Sequence, residues 1–447
     1  MTKFVKTGAA LAALVVGSVT GFATSVLADP YAKYRGTEIV VSWPSLAHFN
    51  IAEELIPQFT EETGISVETD PLQYGKLRDK QLLEMSKPTG DYDVVSWVVF
   101  WKTEYVQKGL LTPLSQMFAN PALVDPTYDI GDITPAYLAN GGKVGGAQGY
   151  LDGPSAGLYG IPFSAQTTLM AYRKDLLEKH NIVVPETYKE LLAASQMLNA
   201  KEGIGGLTGR AQSGHQANDF FLTHYGPTGG SLIDDNYKPI VNNPKVIKTL
   251  EMLTEFVKVG PVGMTGYGYG DMVNSFVQGD AAFYLDASKI RKTVEDETKS
   301  RIKGKVGYAL HPTIDGNCGS GTGGFAMGIP ANSKNKEAAF LFIQWMTNKA
   351  TDLKLAEMGG DPIRTSTMTN PDLQSKFEDY SVLVKQLECA RADWRPLIPE
   401  YPEIDAQIIG IAVSEVITGA KPAQQAMDEA NVKIEKLLTE KGYYAWQ

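Results

Sequence analysis

Two cysteines and five histidines in a chain of 447 residues leave little material for a metal centre or a disulfide scaffold. The cysteines, Cys318 and Cys389, lie 71 positions apart, and the histidines His48, His180, His215, His224 and His311 show no H-E-x-x-H spacing. No metal site is therefore expected, and the isolated pair Asp234 and Asp235 is too small an acidic loop for calcium. Basic residues are outnumbered, 41 Lys and Arg against 51 Asp and Glu, and they form no run. That balance excludes a nucleic-acid partner, which needs clustered cations to displace counterions, and a polybasic membrane contact. With 43% apolar and 21% charged residues the chain is globular, and its length exceeds what one core sustains.

The one long hydrophobic run lies at the N-terminus. Lys3 and Lys6 precede a mostly apolar stretch from Gly8 to Phe22, and Val26, Leu27 and Ala28 follow with the small residue a signal peptidase reads. Residues 1–28 are read as a secretory signal; Gly17, Ser18, Thr20, Gly21 and Thr24 break the run short of the ~20 apolar residues of a span. Cleavage after Ala28 leaves 419 residues and moves the net charge from −10 to −12, because Lys3 and Lys6 leave with the signal. No cysteine near that point offers a lipid attachment, so the mature chain is expected free in the periplasm. In an oxidising compartment Cys318 and Cys389 are free to pair, or to remain two separate buried thiols.

From residue 37 to about 110, β-rich runs alternate with amphipathic ones, the pattern of right-handed βαβ units. Strands are expected over 38–43, 65–69 and 92–97. Asn50 and Glu53 resemble a capping box ahead of a helix that Pro57 kinks and Gly64 ends. After a loop-rich stretch from 113 to 162, strands are expected near 167–172, 281–285, 305–309 and 325–329. Capped helices are expected from Thr187 with Glu190 and from Asn243, and beyond residue 335 the chain reads as almost wholly helical. Two catalytic strings are set aside: Gly153–Gly157 (GPSAG) lacks the strand and helix of a nucleophile elbow. Gly319–Gly324 (GSGTGG) leads into a strand rather than a helix, so no nucleotide cofactor is implied.

The informative constellation is aromatic. Trp43 ends the first strand, Trp97 ends the third, and Trp101 follows four residues later. In a sheet of order 2-1-3 the first and third strands are neighbours, and ligands bind beyond their carboxyl ends. Indole rings there suit the C–H face of a sugar, with hydroxyls left for polar neighbours.

Beyond these residues, Ile39–Trp43 (IVVSW), Ala52–Ile65, Tyr92–Val95 (YDVV) and Lys108–Leu114 (KGLLTPL) resemble, in order, the first lobe of extracellular solute-binding proteins of carbohydrate-uptake ABC transporters. Tyr159–Pro162 (YGIP), Tyr172–Leu177 (YRKDLL), Gln278–Ala282 (QGDAA), Gly323–Pro330 (GGFAMGIP) and Asn335–Ile343 before Trp345 continue the resemblance over nearly all of the mature chain. It implies an α/β, two-lobe clamshell of doubly wound, mostly parallel sheets with a helical C-terminal region. Chain crossings are expected near 161–168, 283–287 and 325–331. Lobe one is then 29–163 with 286–327, and lobe two 164–285 with 328–447.

The implied function is capture of a sugar or sugar alcohol and its delivery to an ABC permease by a monomer that performs no catalysis and needs no cofactor. The resemblance carries site roles to Trp43, Ser45 and His48 in the first strand-end loop, Trp97 and Trp101 in the second, and Gln166 after the first crossing. In the second lobe it points to His215, Asp219 and Phe220, and at the end of the 281–285 strand to Asp286. It also points to the backbone of Gly323 and Gly324, to Asp361 and Arg364 (GGDPIR), and to Trp394 and Arg395 (DWRP). Two departures stand out: the segment 119–158 is long, and Phe325 occupies a position where the family often has tryptophan. A secreted glycoside hydrolase, using Asp219, Asp286 or Asp361, is the rival from another class. The same clamshell with a charged solute, such as a phosphorylated polyol at Arg364 and Arg395, is the third.

Overall fold

The computed structural model describes residues 1–2, 29–145, 156–392 and 394–444. The signal reading over 3–28, the first three residues of the GPSAG string and part of the 119–158 segment lie outside them. Eight strands form one continuous mixed sheet: β1 (Glu38–Pro44), β2 (Ser66–Leu72), β3 (Val94–Val98), β4 (Gly160–Arg173), β5 (Gly205–Thr208), β6 (Ala281–Ala287), β7 (Val306–Ala309) and β8 (Thr322–Gly328). Their order is β2-β1-β3-β8-β4-β6-β5, with β7 also on β4. The expected 2-1-3 arrangement is present. β1 runs parallel to β2 and β3, and β5 parallel to β6, while β4 and β8 run antiparallel to their neighbours.

β4 joins the two halves. Gly160 to Thr167 pair with β8, whereas Thr168 to Tyr172 pair with β6, so the strand changes partners between Thr167 and Thr168. A bulge opposite this stretch falls between Gly324 and Phe325. Gly324 has φ +94°, and a Cβ there would lie 2.2 Å from the Ser164 carbonyl oxygen, so only glycine allows the two backbones to approach.

Helices cover both faces: α1 (Ala47–Glu53), α2 (Ile56–Thr63), α3 (Tyr74–Met85), α4 (Tyr188–Glu202), α5 (His215–Tyr225), α6 (Pro244–Lys258), α7 (Tyr269–Gln278), α8 (Ile290–Glu295), α9 (Lys336–Met346), α10 (Glu378–Leu387), α11 (Gly410–Ile417) and α12 (Ala423–Glu440). Thr187 and Glu190 form the expected capping box on α4, and the Asn243 side chain caps α6. The box expected at Asn50 is not formed. α1 begins at Ala47, and Pro57 falls in the first turn of a separate α2, where its missing N–H has no helical partner to lose. Among the described residues, no helix is long and apolar enough to cross a membrane.

Packing divides the elements differently from the expected lobe limits. α9, expected in the second lobe, packs on the β1 side: Phe342 lies 6.4 Å from Trp43 and 5.2 Å from Phe59, and Trp345 donates to Glu62 at 2.7 Å. α8 and β7, expected in the first, belong to the other half. Ile290 and Val294 share a buried cluster with Met272, Phe276 and Tyr284, and β7 pairs with the C-terminal part of β4. Aromatic side chains on α9 find their hydrophobic complement only beside β1 and α2.

Arg364 is fully buried and anchors residues 128–132, in the described part of the long 119–158 segment. Its guanidinium donates to the carbonyls of Thr347 at 2.8 Å, Asp129 at 2.8 Å and Tyr128 at 2.9 Å, lies 3.4 Å from Asp132, and covers the Tyr128 ring. Cys318 and Cys389 form a disulfide with a Cα separation of 6.2 Å. It fastens the approach to β8 to the end of α10, beside the backbone pairing of Thr322 with Arg391.

Two outcomes follow for stability. Replacing Cys389 by serine frees a loop of 71 residues and is expected to lower the urea unfolding free energy by about 2–4 kcal/mol. Reductant should lower the wild-type midpoint and leave the variant unchanged, and a Cys389→Ser midpoint equal to wild type contradicts this. Arg364→Met leaves several buried acceptors without a donor and is expected to cost about 3 kcal/mol or more in the same assay. Its folded fraction should retain solute affinity, whereas a direct ligand role for Arg364 requires that affinity to fall.

Candidate functional site

A cavity of about 390 Å³ lies between the two halves of the sheet, beside the point where β4 changes partners. Loops at strand ends build it, as expected for an α/β sheet. The β1–α1 loop supplies Leu46, Ala47 and His48, and the end of β3 and the turn after it supply Val98 and Phe100. β4 contributes Ser164 and Gln166, and the bulged start of β8 contributes Gly324 and Phe325. The other half contributes Arg210, the first turns of α5 and α7, and Arg395. Its aromatic surface is made of Tyr74, Phe100, Tyr269 and Phe325.

The expected tryptophans lie elsewhere. Val98 faces the cavity, so Trp97, one residue earlier on the same strand, points to the opposite face. Its ring fills the space left by Gly160 and Gly328, where a Cβ would come within 2.5 Å and 2.4 Å of the indole. Trp43 is likewise core, stacked 6.3 Å from Phe163 with Nε1 donating to Glu53 at 3.1 Å. Trp101 is buried behind Tyr74, 6.1 Å away. Trp394 donates to the Thr322 carbonyl at 2.6 Å and covers Gly321. Phe220 packs on His224, 4.7 Å away, and Arg364 is the anchor described above. Ser45 is exposed outside the cavity lining, and Gly323 is buried on β8 beside Gln166.

The remaining expected residues come together. His48, Gln166, His215, Asp219, Gly324, Asp361 and Arg395 all line the cavity. Asp286 stands behind it and holds Arg210 in a bidentate pair, with both contacts at 2.9 Å. The sequence reading missed Tyr74, Phe100, Ser164, Arg210, Gln216, Tyr269 and Lys289. Tyr74 and Gln216 sit in the first turns of helices that follow strand-end loops, a positional signal available in the sequence, whereas Tyr269 opens a helix that follows α6.

Most charged side chains on the walls face an opposite charge, and Lys292 lines the cavity besides. Asp219 accepts from Arg395 at 2.8 Å through one oxygen and meets Arg210 at 2.9 Å through the other. Burial alone would raise its carboxyl, but Arg395, His215 and Arg210 bring it down to about 2. His215 stands 3.3 Å from Asp219 and 2.6 Å from Asp405. Burial opposes its charge, but the two carboxylates raise the ring above its ordinary value. Two guanidiniums and an imidazole thus face Asp219, Asp286 and Asp405. On the other side Asp361 accepts from Ser164 at 2.7 Å and lies 3.7 Å from Lys289. His215, Asp219 and Asp405 also have ligand atoms within 4.8 Å of one another, yet both oxygens of Asp219 already face arginines, which opposes a further cation.

His48 is neutral. Burial depresses its ring to about 4, and Nδ1 accepts the Asp361 backbone N–H at 3.0 Å, which places the ring proton on Nε2. Among the described residues, four that line the cavity carry a buried polar atom without a hydrogen-bond partner: His48 Nε2, Gln166 Oε1, Gln216 Oε1 and Arg395 Nε. Two are donors and two acceptors, a mixture suited to hydroxyl groups, which act as both.

Comparison with known proteins agrees with this architecture. A solute-binding protein of an ABC transporter from Agrobacterium radiobacter K84, solved in complex with ribitol, superposes with a TM-score of 0.79 at 31% identity, covering 90% of this chain and 99% of that one. The Mannitol-binding protein of Pseudomonas aeruginosa is 25% identical over 83% of this chain and 86% of its own length. A Sinorhizobium fredii protein described as "Probable amino-acid ABC transporter periplasmic-binding protein" is 24% identical over 97% of both chains. The family model for bacterial extracellular solute-binding proteins matches residues 43–352. With its two-lobed α/β sheet closed around a cavity at the strand ends, the chain belongs to the bacterial extracellular solute-binding protein family.

Proposed function

We propose that this protein binds one uncharged polyol or sugar in the cavity between its lobes and delivers it to the permease of an ABC importer. The observation that carries this reading is the set of four donors and acceptors unpartnered among the described residues, beside a wall where Asp219 and Asp286 already face Arg210 and Arg395. A buried polar atom without a partner costs free energy, and hydroxyls supply the missing hydrogen bonds without adding charge. A solute carrying an ammonium and a carboxylate would find no free counter-ion among Asp219, Asp286 and Asp361, each of which already faces a cation. The ribitol complex of the relative at 31% identity and the Mannitol-binding protein support the same class.

Binding without chemistry is part of this reading. A glycosidase needs one carboxyl raised to act as general acid, and both Asp219 and Asp361, which line the cavity, are held low by neighbouring cations despite their burial. Lobe one is read as the elements around β2, β1, β3, β8 and the start of β4 together with α9. Lobe two comprises the end of β4, β5, β6 and β7 with α8 and α10 to α12. Secretion through a signal cleaved after Ala28, a periplasmic location without lipid anchor, and action as a monomer belong to the same proposal.

A thermal-shift panel of polyols, monosaccharides, disaccharides, phosphorylated polyols and amino acids tests it. An uncharged polyol or sugar is expected to raise the melting temperature by mass action, and a response confined to amino acids or phosphorylated solutes overturns the class. With the responding solute, His48→Ala and Gln166→Ala should each weaken binding by about tenfold in calorimetric titration, the loss of one or two hydrogen bonds. Trp97→Ala should instead lower stability, because its ring lies in the core.

His48 also sets a pH dependence. The folded ring titrates at about 4, whereas an unfolded histidine titrates near its ordinary 6.5, so the unfolded chain binds more protons between those values. The stability that depends on its neutrality is complete above about pH 7 and is lost progressively as pH falls toward 4. Urea unfolding of His48→Gln should show a shallower decline across this window than wild type; an unchanged slope contradicts the assignment.

A further inference from the structure

We propose that Phe100 is a latch that holds the two lobes together before any solute arrives. This rests on the two-lobed closure described above but not on the identity of the solute. Phe100 lies in the turn Val99–Trp101, directly after β3 of the first lobe, and its side chain is buried. Trp101 of its own lobe packs edge-on at 6.0 Å, and the other groups around the ring come from the second lobe. The Arg395 guanidinium lies 5.0 Å from the centre of the ring, the His215 imidazole 5.6 Å, and the Tyr401 ring meets it edge-on at 5.9 Å and 82°.

The socket is fixed independently of Phe100. Asp219 holds Arg395 at 2.8 Å, Asp405 holds His215 at 2.6 Å, and Tyr401 Oη accepts from Asn218 at 3.1 Å. Asn218 also donates to Asp405, so all three socket groups are tied to one stretch of α5. A phenyl ring offers the guanidinium the negative face of its quadrupole and has no polar atom to satisfy elsewhere. Opening the lobes would return the ring to water and uncover a guanidinium and an imidazole already oriented toward it. Neither loss involves the solute, so the contact favours the closed form in the free protein. Because apparent affinity scales with the population of the binding-competent state, such a latch tunes affinity through that population.

The inter-lobe distance distribution of the unliganded full chain tests this by double electron–electron resonance. Spin labels are placed at cysteines introduced at the exposed positions Leu83 and Val183, one in each lobe, with the native disulfide left intact. The wild type is expected to show a substantial closed population without solute. Phe100→Ala should shift the closed-to-open ratio roughly tenfold toward open, and Phe100→Leu, which keeps apolar bulk but loses the quadrupole, should fall between them. Circular dichroism confirms that each variant is folded, and if the alanine variant is not, the leucine variant decides. A wild type that is wholly open without solute overturns the proposal, as does a folded variant with the wild-type distribution. Since no solute enters the measurement, either outcome is independent of the substrate panel above.

Discussion

Thr167 is where the chain holds its two halves together. Its side chain reaches the carbonyl of Gly321 and the hydroxyl of Ser320, both at 2.9 Å, and its backbone carbonyl accepts from Ser288 at 2.8 Å. Those partners lie just before β8 and just after β6, so one buried threonine ties all three segments that pass between the halves. The exchange of β4 from β8 to β6 happens at this residue, and the cavity opens beside it. Gln166 and Ser164 reach the ligand space because they sit on a strand that both halves must share. The bulge at Gly324 turns the partner strand without breaking the pairing on either side.

A second constraint links this hinge to the cavity wall. Asp286 ends β6 one residue before the crossing and grips Arg210, which meets Asp219, which in turn holds Arg395. The chain of ion pairs is buried throughout, where lone charges would be prohibitive, and each member is paired on at least one side. Such a wall is stiff. It presents oriented donors without requiring the ligand to bring charge, and it spends no part of the binding free energy on rearranging ions.

Much of the fold was legible in the sequence because its signals are local. Continuous apolar runs marked β1 and β3, the Thr187 and Asn243 caps marked helix starts, and the run of ordered motifs carried the two-lobed reading. The Asn50 capping box failed because a matching spacing does not fix where a helix begins; the chain enters α1 three residues earlier. Site residues divided along a physical line. His48 and His215, in the first turns of helices, and Asp361, in the loop after the helix Lys349–Glu357, lie on the cavity. Trp43 and Trp97 do not, because which face a strand residue takes depends on register, and a shift of one position reverses it; Trp394, in a loop, turns instead to Gly321 and the Thr322 carbonyl. Arg364 misled for a different reason: an arginine near a cleft loop reads as a ligand contact, but the carbonyls that capture it come from residues more than 200 positions away. No local pattern announces such a partner. The lobe limits suffered likewise, since α9 chooses its side through contacts with Trp43 and Phe59, far away in sequence.

An uncharged solute makes a particular demand on closure. It brings no charge to draw the lobes together, and hydroxyl hydrogen bonds largely exchange water for protein, each with a modest net gain. The differential contact that drives closure must then come from burying apolar faces and from donors that remain unsatisfied while the cleft is empty. Both are present and lie on opposite walls. His48 and Phe325 stand on one side, Gln216 and Arg395 on the other, and Tyr74 and Tyr269 offer flat rings from each half. Since the ion pairs behind these groups are complete before the solute arrives, its contacts are left to bridge the gap rather than to order the walls. A compensated electrostatic frame surrounding a few unpaired neutral groups is therefore a coherent way for a two-lobed protein to respond to a ligand with no charge of its own.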